Sequence, residues 1–100
     1  MSGEVDTLVA IFAPHHRETV EGDVRIAGAA FAGQREIIAV ELSIDDAPWM
    51  PVDIQPAAAS SWMPWQMNWQ PTAPGDYFIQ ARTRAADGSS ALHSVVIRVV

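Results

Sequence analysis

Apolar and polar side chains alternate with a period of two along most of this chain. The clearest case is the segment 37–44, in which one face carries Ile38, Val40, Leu42 and Ile44. Such alternation is typical of a strand with one buried and one solvated face. We therefore expect a sheet whose inner face is lined by these four residues.

Clusters of turn-forming residues interrupt the alternation roughly every 8–15 residues, a spacing typical of sandwiches and small barrels. The stretch 57–69, which favours a helix by composition, contains Pro64 in its interior at a cost of about 3 kcal/mol. The proline-bounded segment 55–60 is expected to be a loop. We predict an all-β chain with no substantial helix. The expected strands span 7–13, 23–31, 37–44, 49–54, 65–69, 77–84 and 93–99.

The same pattern predicts how particular side chains pack. Along 23–31 the face that carries Gly28 and Ala30 contains small residues, which predicts the close approach of another backbone or of a large side chain. Tyr77 opens its strand directly after a turn, and its hydroxyl is expected to bond nearby backbone as in a tyrosine corner. The residues expected to form the core together are Trp65, Met67, Trp69, Val40, Leu42, Tyr77 and Ile79.

The 100 residues suit one small domain, which we assign to 7–100 with a flexible leader over 1–6. Twelve acidic residues outnumber six arginines, lysine is absent, and the net charge is −6. A chain without a cationic cluster is a poor partner for nucleic acid or for an anionic membrane surface. No segment approaches the roughly 20 apolar residues needed to span a bilayer. The N-terminus also lacks the cationic start of a signal peptide.

The sequence offers few groups for catalysis or metal binding. Cysteine is absent, which excludes disulfides, thiolate catalysis and thiolate metal sites. The three histidines show no ligand spacing with a carboxylate, and Asp45-Asp46 and Asp87-Gly88 are typical of turns rather than of a calcium loop. We therefore predict no catalytic, cofactor-binding or metal-binding residue in this chain.

Several amphipathic side chains fall outside the expected core, and outward apolar groups on a sheet usually mark protein contacts. Arg82 and Arg84 lie on an outward face together with Glu41, with which they are expected to pair across strands. Trp62 falls on the opposite side of its strand from the core tryptophans. The residues predicted to form a protein interface are Trp49, Trp62, Phe78, Arg82 and Arg84.

Four segments carry a family pattern in the right order. They are V-x-I-x-G-x-A-F-A-G at 24–33, I-x-A-V-E-L-S-I-D with a following tryptophan at 37–49, W-x-x-W-x-x-x-W at 62–69 and P-G-x-Y-x-I-x-x-R at 74–82. Together they resemble the C-terminal dimerisation domain of the sulfite-oxidase family of molybdenum enzymes, over roughly residues 8–100. The chain departs from the family pattern at Phe31, usually tryptophan, at Asp46-Ala47, usually Gly-Gly, and at Met63, usually arginine.

The resemblance implies an immunoglobulin-like β-sandwich of the E-set type with about seven strands. It implies a non-catalytic dimerisation or docking domain, with molybdopterin confined to the parent enzyme's catalytic domain. The expected partners are that catalytic domain in the same polypeptide and a second copy of the enzyme, without nucleic acid or direct membrane contact. The final strand resembles that of bacterial membrane-associated members, which implies a natural C-terminus. An extracytoplasmic parent is favoured, although the sequence leaves the compartment undetermined.

A free-standing bacterial immunoglobulin-like or carbohydrate-binding module is the alternative, since exposed indole rings also bind sugars. A small enzyme is a third possibility, disfavoured by the lack of catalytic groups in the sequence. An upstream domain with a lone cysteine would favour the sulfite-oxidase interpretation, and glycosidase or adhesin neighbours would favour a binding module.

Overall fold

The structure is a computed structural model that describes residues 7–33, 36–54 and 62–100, and within these ranges every regular element is a strand. The leader expected over 1–6 and the loop expected over 55–60 lie outside the described residues. Nowhere in the described ranges is there a helix long and apolar enough to cross a membrane. The eight strands are β1 (Leu8–Ala13), β2 (Thr19–Val20), β3 (Val24–Phe31), β4 (Ile37–Ile44), β5 (Met50–Pro51), β6 (Met63–Trp69), β7 (Gly75–Ala85) and β8 (Ser90–Val99).

The strands form two sheets that pack face to face. One sheet has three strands in the order β1-β3-β6, and the other has five in the order β2-β8-β7-β4-β5. All pairs are antiparallel except β2 with β8. The prediction of an all-β sandwich is confirmed. The described residues form eight strands rather than about seven because two-residue strands such as β2 are too short to leave an alternating pattern in the sequence.

The core lies between the inward faces of the two sheets, as the alternation predicts. Ile26, Leu42, Ile79 and Ile97 are fully buried. Trp65 is buried among them, and the other predicted core residues either belong to the same cluster or pack against it half-buried. These other residues are Met67, Trp69, Tyr77 and Val40.

Gly28 marks the closest approach inside the three-stranded sheet. A Cβ atom built on this residue would overlap the backbone carbonyl oxygen of Ala10 and lie 2.6 Å from Cζ2 of Trp65. Because β3 lies between β1 and β6, only a residue without a side chain leaves room for the Trp65 ring at this register. The prediction that another backbone or a large side chain closely approaches this small-residue face is confirmed, since both do so at Gly28.

The inner face predicted for β4 is wrong at one position. Ile38 is 50% exposed, whereas its neighbour Ile37 is buried. The pairing of β4 with β7 shifts register between Ile37 and Ala39, so an irregularity reverses the phase of the strand there. From Val40 onward the predicted inner residues are buried, but Ser43, which alternates with them, is buried as well, and its hydroxyl donates a hydrogen bond of 2.7 Å to the carbonyl oxygen of Ala47. A bulge of this kind inserts one residue and turns the preceding side chains to the other face.

Tyr77 makes the contact that its position at the start of β7 predicts. Its hydroxyl donates a hydrogen bond of 2.6 Å to the backbone carbonyl oxygen of Ala73, four residues earlier. The ring meets that of Trp69 edge to face, with centroids 4.8 Å apart and planes at 78°. Tyr77 therefore ties the loop before β7 to the last residue of β6, and the tyrosine-corner prediction is confirmed.

Candidate functional site

Four of the five predicted interface residues lie on one surface, the outer face of the five-stranded sheet. Phe78, Arg82 and Arg84 occupy alternate, outward positions of β7. Trp49 reaches the same face from the segment that leads into β5, because its ring lies against Arg82. We call this surface the arginine face. The fifth residue, Trp62, lies elsewhere, on the outer face of the three-stranded sheet.

Arg82 is held from two sides at the centre of the arginine face. Glu41 is its direct partner across β4 and β7, and Nε of Arg82 donates a hydrogen bond of 2.8 Å to Oε1 of Glu41. The guanidinium carbon lies 4.1 Å from the ring centroid of Trp49. An exposed cation–π contact contributes about 0.5–1 kcal/mol, and a cross-strand ion pair contributes about 0.2–1 kcal/mol. These contacts add little stability, but they hold Arg82 in one orientation.

A tight turn fixes the approach of Trp49. Asp45 and Asp46 both have positive φ, 54° and 59°, and Ala47 N donates to the carbonyl oxygen of Ile44 at 3.1 Å. Aspartate tolerates this left-handed backbone better than most residues. Asp45 also accepts a hydrogen bond of 2.7 Å from the backbone N–H of Phe78. The turn predicted at Asp45-Asp46 therefore exists and is bonded to the strand that carries the arginines.

The outer face of the three-stranded sheet is apolar and aromatic. Trp62, 46% exposed, stacks on Phe31 with ring centroids 5.2 Å apart. Leu8 and Phe12 of β1 are also exposed on this sheet, at 42% and 56%. We call this surface the aromatic face. Of the residues on the aromatic face, only Trp62 was predicted from the sequence to form an interface. The sequence of β1 is apolar at every position, which indicates that both faces of this strand carry apolar side chains.

A groove of about 960 Å³ follows the aromatic face. Trp62 and Phe12 line it together with the polar side chains of Arg25, Gln66 and Asn68. Nε of Arg25 donates a hydrogen bond of 2.8 Å to Oε1 of Gln66 across β3 and β6, so one wall of the groove is fixed. The groove combines an exposed indole ring with amide groups.

The histidines make local contacts and do not come together. His15 Nδ1 lies 3.2 Å from Oε1 of Glu18, and the hydrogen bond from the His15 backbone is the main cause that lowers the pKa of this exposed carboxyl. His93 Nδ1 accepts a 2.9 Å hydrogen bond from the backbone N–H of Ile11, which links the two sheets. Among residues 7–33, 36–54 and 62–100 no three His, Asp or Glu side chains are arranged to hold a metal.

Among the side chains of residues 7–33, 36–54 and 62–100, one buried polar atom has no hydrogen-bond partner. The indole N–H of Trp65, whose side chain packs against Gly28, makes no hydrogen bond although the residue is only 2% exposed. An unpaired buried donor costs about 1–3 kcal/mol. The ring nevertheless fills the space between the sheets, and its burial outweighs this cost.

No protein-family model matches the chain, and no curated protein matches it. Solved structures do match. The sulfane dehydrogenase SoxCD from Paracoccus pantotrophus is 20% identical with a TM-score of 0.68, over 85% of this chain and 23% of that chain. The fibronectin(III)-like modules of CbhA from Clostridium thermocellum are also 20% identical at a TM-score of 0.68, over 92% of this chain and 96% of the module. CopC from Methylosinus trichosporium OB3b is 18% identical with a TM-score of 0.58, over 96% of this chain and 90% of the CopC chain.

These similarities establish the fold, a β-sandwich of the immunoglobulin and fibronectin type. The chain spans about a quarter of the length of the SoxCD chain that it matches, but nearly the whole of a CbhA module. The same sandwich therefore occurs in one part of the SoxCD chain and in a fibronectin(III)-like module of CbhA.

Proposed function

We propose that this chain is a non-catalytic interaction domain of a larger molybdenum-dependent oxidoreductase of the sulfite-oxidase type. It docks against the catalytic domain of the same polypeptide and helps to join two copies of the enzyme. The four family-like segments of the sequence support the proposal, and so does the likeness in fold to part of a sulfane dehydrogenase. That likeness is at 20% identity and supports only the fold. The support that is specific to the sulfite-oxidase family therefore comes from the four sequence segments.

The observation that carries the proposal is the arrangement of Arg82 on the arginine face. Its guanidinium group is oriented by Glu41 and Trp49 before any partner arrives. A side chain that is already ordered loses less conformational entropy on binding, which favours its use in a contact. Arginine and tryptophan are also the residue types that contribute most to protein interfaces.

The residues present do not fit a molybdenum centre. The chain contains no cysteine, and the described residues bring no three metal-binding side chains together. In this proposal the molybdopterin belongs to the catalytic domain of the parent enzyme. This chain supplies surface rather than ligands.

The test is calorimetric titration of the chain into a separately produced sulfite-oxidase-type catalytic domain from the same genome. We expect saturable binding that weakens at least tenfold in the Trp49→Ala variant. Leu8→Ala serves as the matched control, because Leu8 is an exposed apolar residue on the aromatic face, outside the predicted set. Absence of binding by the wild-type chain would contradict the docking role.

A free-standing binding module is the second candidate function, and two observations favour it. The chain matches a CbhA fibronectin(III)-like module over 96% of that module's length. The groove on the aromatic face is also lined by Trp62 and, farther along β6, by the amides of Gln66 and Asn68, a combination that suits the stacking and hydrogen bonding of a sugar chain. A glycan array separates the candidates, because micromolar binding that is lost in Trp62→Ala supports a carbohydrate-binding module.

For the parent enzyme we propose a location outside the cytoplasm. The support is the similarity of the final strand to that of membrane-associated bacterial members of the family. Cell fractionation followed by immunodetection of the chain tests this location. Recovery of the parent in the cytoplasmic fraction would contradict it.

A further inference from the structure

One edge of the five-stranded sheet has backbone hydrogen-bonding groups that no residue in the described part of the chain bonds. Near its end, β8 bonds outward, away from β7: Val96 N donates to His16 Nδ1 at 3.1 Å, and Val96 O accepts from Arg17 N at 2.6 Å. Arg98 N likewise donates to the carbonyl oxygen of Glu18. In an antiparallel pair, alternate residues point their backbone groups the same way. The even-numbered residues of β8 therefore face this edge.

Toward the start of β8 the same edge is open. β2 pairs only with Arg98 and Val99. The pairing of β7 with β8 is regular from Gly75↔Val99 to Arg84↔Ser90. Ser90, Leu92 and Ser94 therefore direct their N–H and C=O groups outward as Val96 does, but the described residues offer them no hydrogen-bond partner.

The open stretch of β8 also lacks the features that protect other strand edges. β1 contains a register shift between Ile11 and Ala13, β5 contains Pro51, and β6 contains Pro64. Bulges, prolines and charged side chains are the usual means of preventing a strand from pairing with another chain. From Ser90 to Val96 there is no proline, no bulge and no Lys, Arg, Asp or Glu. Leu92, midway between Ser90 and Ser94, is 60% exposed on the outer face of the five-stranded sheet.

We propose that this edge is a self-association site, where β8 pairs antiparallel with β8 of a second copy about a twofold axis at Leu92. In this register Leu92 pairs with Leu92 of the second copy, and Ser90 pairs with its Ser94. The pairing uses the three residues whose outward backbone groups have no partner among the described residues, and it stops at Val96, whose groups are already bonded. A shift of the strands would leave free groups unpaired, so the unused groups themselves specify the register.

The second copy is the occupant that this edge fits best. A twofold contact requires a self-complementary surface, and an uncharged strand with serine on both sides of Leu92 meets that requirement. The two Leu92 side chains then cover each other on the outer face, and the five-stranded sheets become one continuous sheet. The inference rests on the proposed function, because it identifies the surface through which the domain joins two copies.

The direct test is amide hydrogen exchange of the isolated chain at about 10 μM and about 1 mM, a range that spans the weak affinity expected for a small interface. We expect the exchange of Leu92 and Ser94 amides to slow at least tenfold at the higher concentration. The amides of His93 and Val95, which point toward β7, should show no comparable change. Unchanged exchange at Leu92 and Ser94 would overturn the proposal.

Two variants with matched controls complete the test by sedimentation equilibrium. Leu92→Lys places two like charges at the twofold axis and should weaken association at least tenfold, whereas Ile38→Lys makes the same change at a distant exposed site. Ser94→Pro removes one edge-facing donor and should weaken association, whereas Ser94→Ala keeps the donor and should not. An edge-facing proline is compatible with the fold, and a circular dichroism melt of each variant verifies this.

The outcomes separate this inference from the proposed function. Dimers that form without protection of Leu92 and Ser94 would overturn the edge pairing but leave a self-association role standing. A strictly monomeric chain that binds the catalytic domain would also overturn the edge pairing, with docking retained. A chain that neither self-associates nor binds the catalytic domain would overturn both.

Discussion

In the five-stranded sheet the inward positions of β4, β7 and β8 carry branched aliphatic residues such as Leu42, Ile79 and Ile97, each packed among several similar neighbours. The three-stranded sheet also contributes branched aliphatic residues such as Ile26, but in addition it carries one large ring, that of Trp65, placed over Gly28. The first arrangement distributes the packing over many interchangeable contacts. The second adds one closely fitted pair, so a substitution at Gly28 or Trp65 should cost more than the loss of a single aliphatic contact.

The outer faces of the two sheets differ as well. The arginine face presents an arginine that is oriented by Glu41 and Trp49. The aromatic face presents Trp62 and Phe12 around a groove. The first is suited to a protein contact and the second to a flat or cyclic ligand, so variants on the two faces should separate the two candidate functions.

The largest effect is expected for Gly28→Ala. The new Cβ meets the Ala10 carbonyl and the Trp65 ring at once, and a backbone atom cannot move aside as a flexible side chain can. We expect a loss of at least about 3 kcal/mol in the free energy of unfolding, the upper part of the range for overpacked cores. Urea denaturation measures it. Gly22→Ala is the control, because Gly22 has positive φ but no atom within 4 Å of an added Cβ, so it should lose only about 1–2 kcal/mol.

Trp69→Ala tests whether a second large ring on β6, besides that of Trp65, contributes strongly to the free energy of unfolding. The ring packs half-buried against the core and edge to face against Tyr77, so removing it should cost about 3 kcal/mol, the lower end of the range for buried aromatic residues. A thermal melt followed by fluorescence checks this. The same substitution at Trp62, on the outside, should cost less than about 1 kcal/mol. Equal losses at the two positions would contradict the assignment of inner and outer faces.

Tyr77→Phe tests the hydrogen bond between the Tyr77 hydroxyl and the loop before β7. The phenyl ring keeps its contact with Trp69 but leaves the carbonyl oxygen of Ala73 without its donor. We expect a loss of about 1 kcal/mol in the free energy of unfolding, because the carbonyl lies in an exposed loop and water can partly replace the hydroxyl. A substitution without any effect would mean that the ring is only apolar filling.

The smallest effect on stability is expected on the arginine face. Arg82→Met removes the ion pair with Glu41 and the contact with Trp49, both of which are partly exposed and screened by solvent. The free energy of unfolding should fall by less than about 1 kcal/mol. A double-mutant cycle with Glu41→Gln measures the coupling of the pair. A coupling well above 1 kcal/mol would mean that Arg82 supports the fold rather than a contact.

The sequence was most informative where a strand follows one period throughout. The inner faces of β7 and β8, the small-residue face of β3 and the tyrosine corner were all predicted correctly. Ile38 was placed wrongly because a register shift reverses the phase of β4, and nothing in the alternation of that segment indicates the shift. The period identifies a face but not the point at which a strand changes face.

The candidate surfaces were only partly predictable for a different reason. Period two shows that Phe78, Arg82 and Arg84 share an outward face, but which strands are neighbours determines that Trp49 lies over Arg82. The stacking of Trp62 on Phe31 and the open edge at Leu92 likewise depend on the order of strands in each sheet. Strand order comes from contacts that are distant in the sequence, and local pattern carries little information about it.

The central claim is that this domain makes its contacts through the five-stranded sheet rather than through the aromatic face. The most direct test is the titration of the catalytic domain with two charge-changing variants, Arg82→Glu on the arginine face and Trp62→Glu on the aromatic face. The account predicts that Arg82→Glu weakens binding at least tenfold while Trp62→Glu binds as the wild-type chain does. The reverse result, with binding lost only in Trp62→Glu, would contradict it.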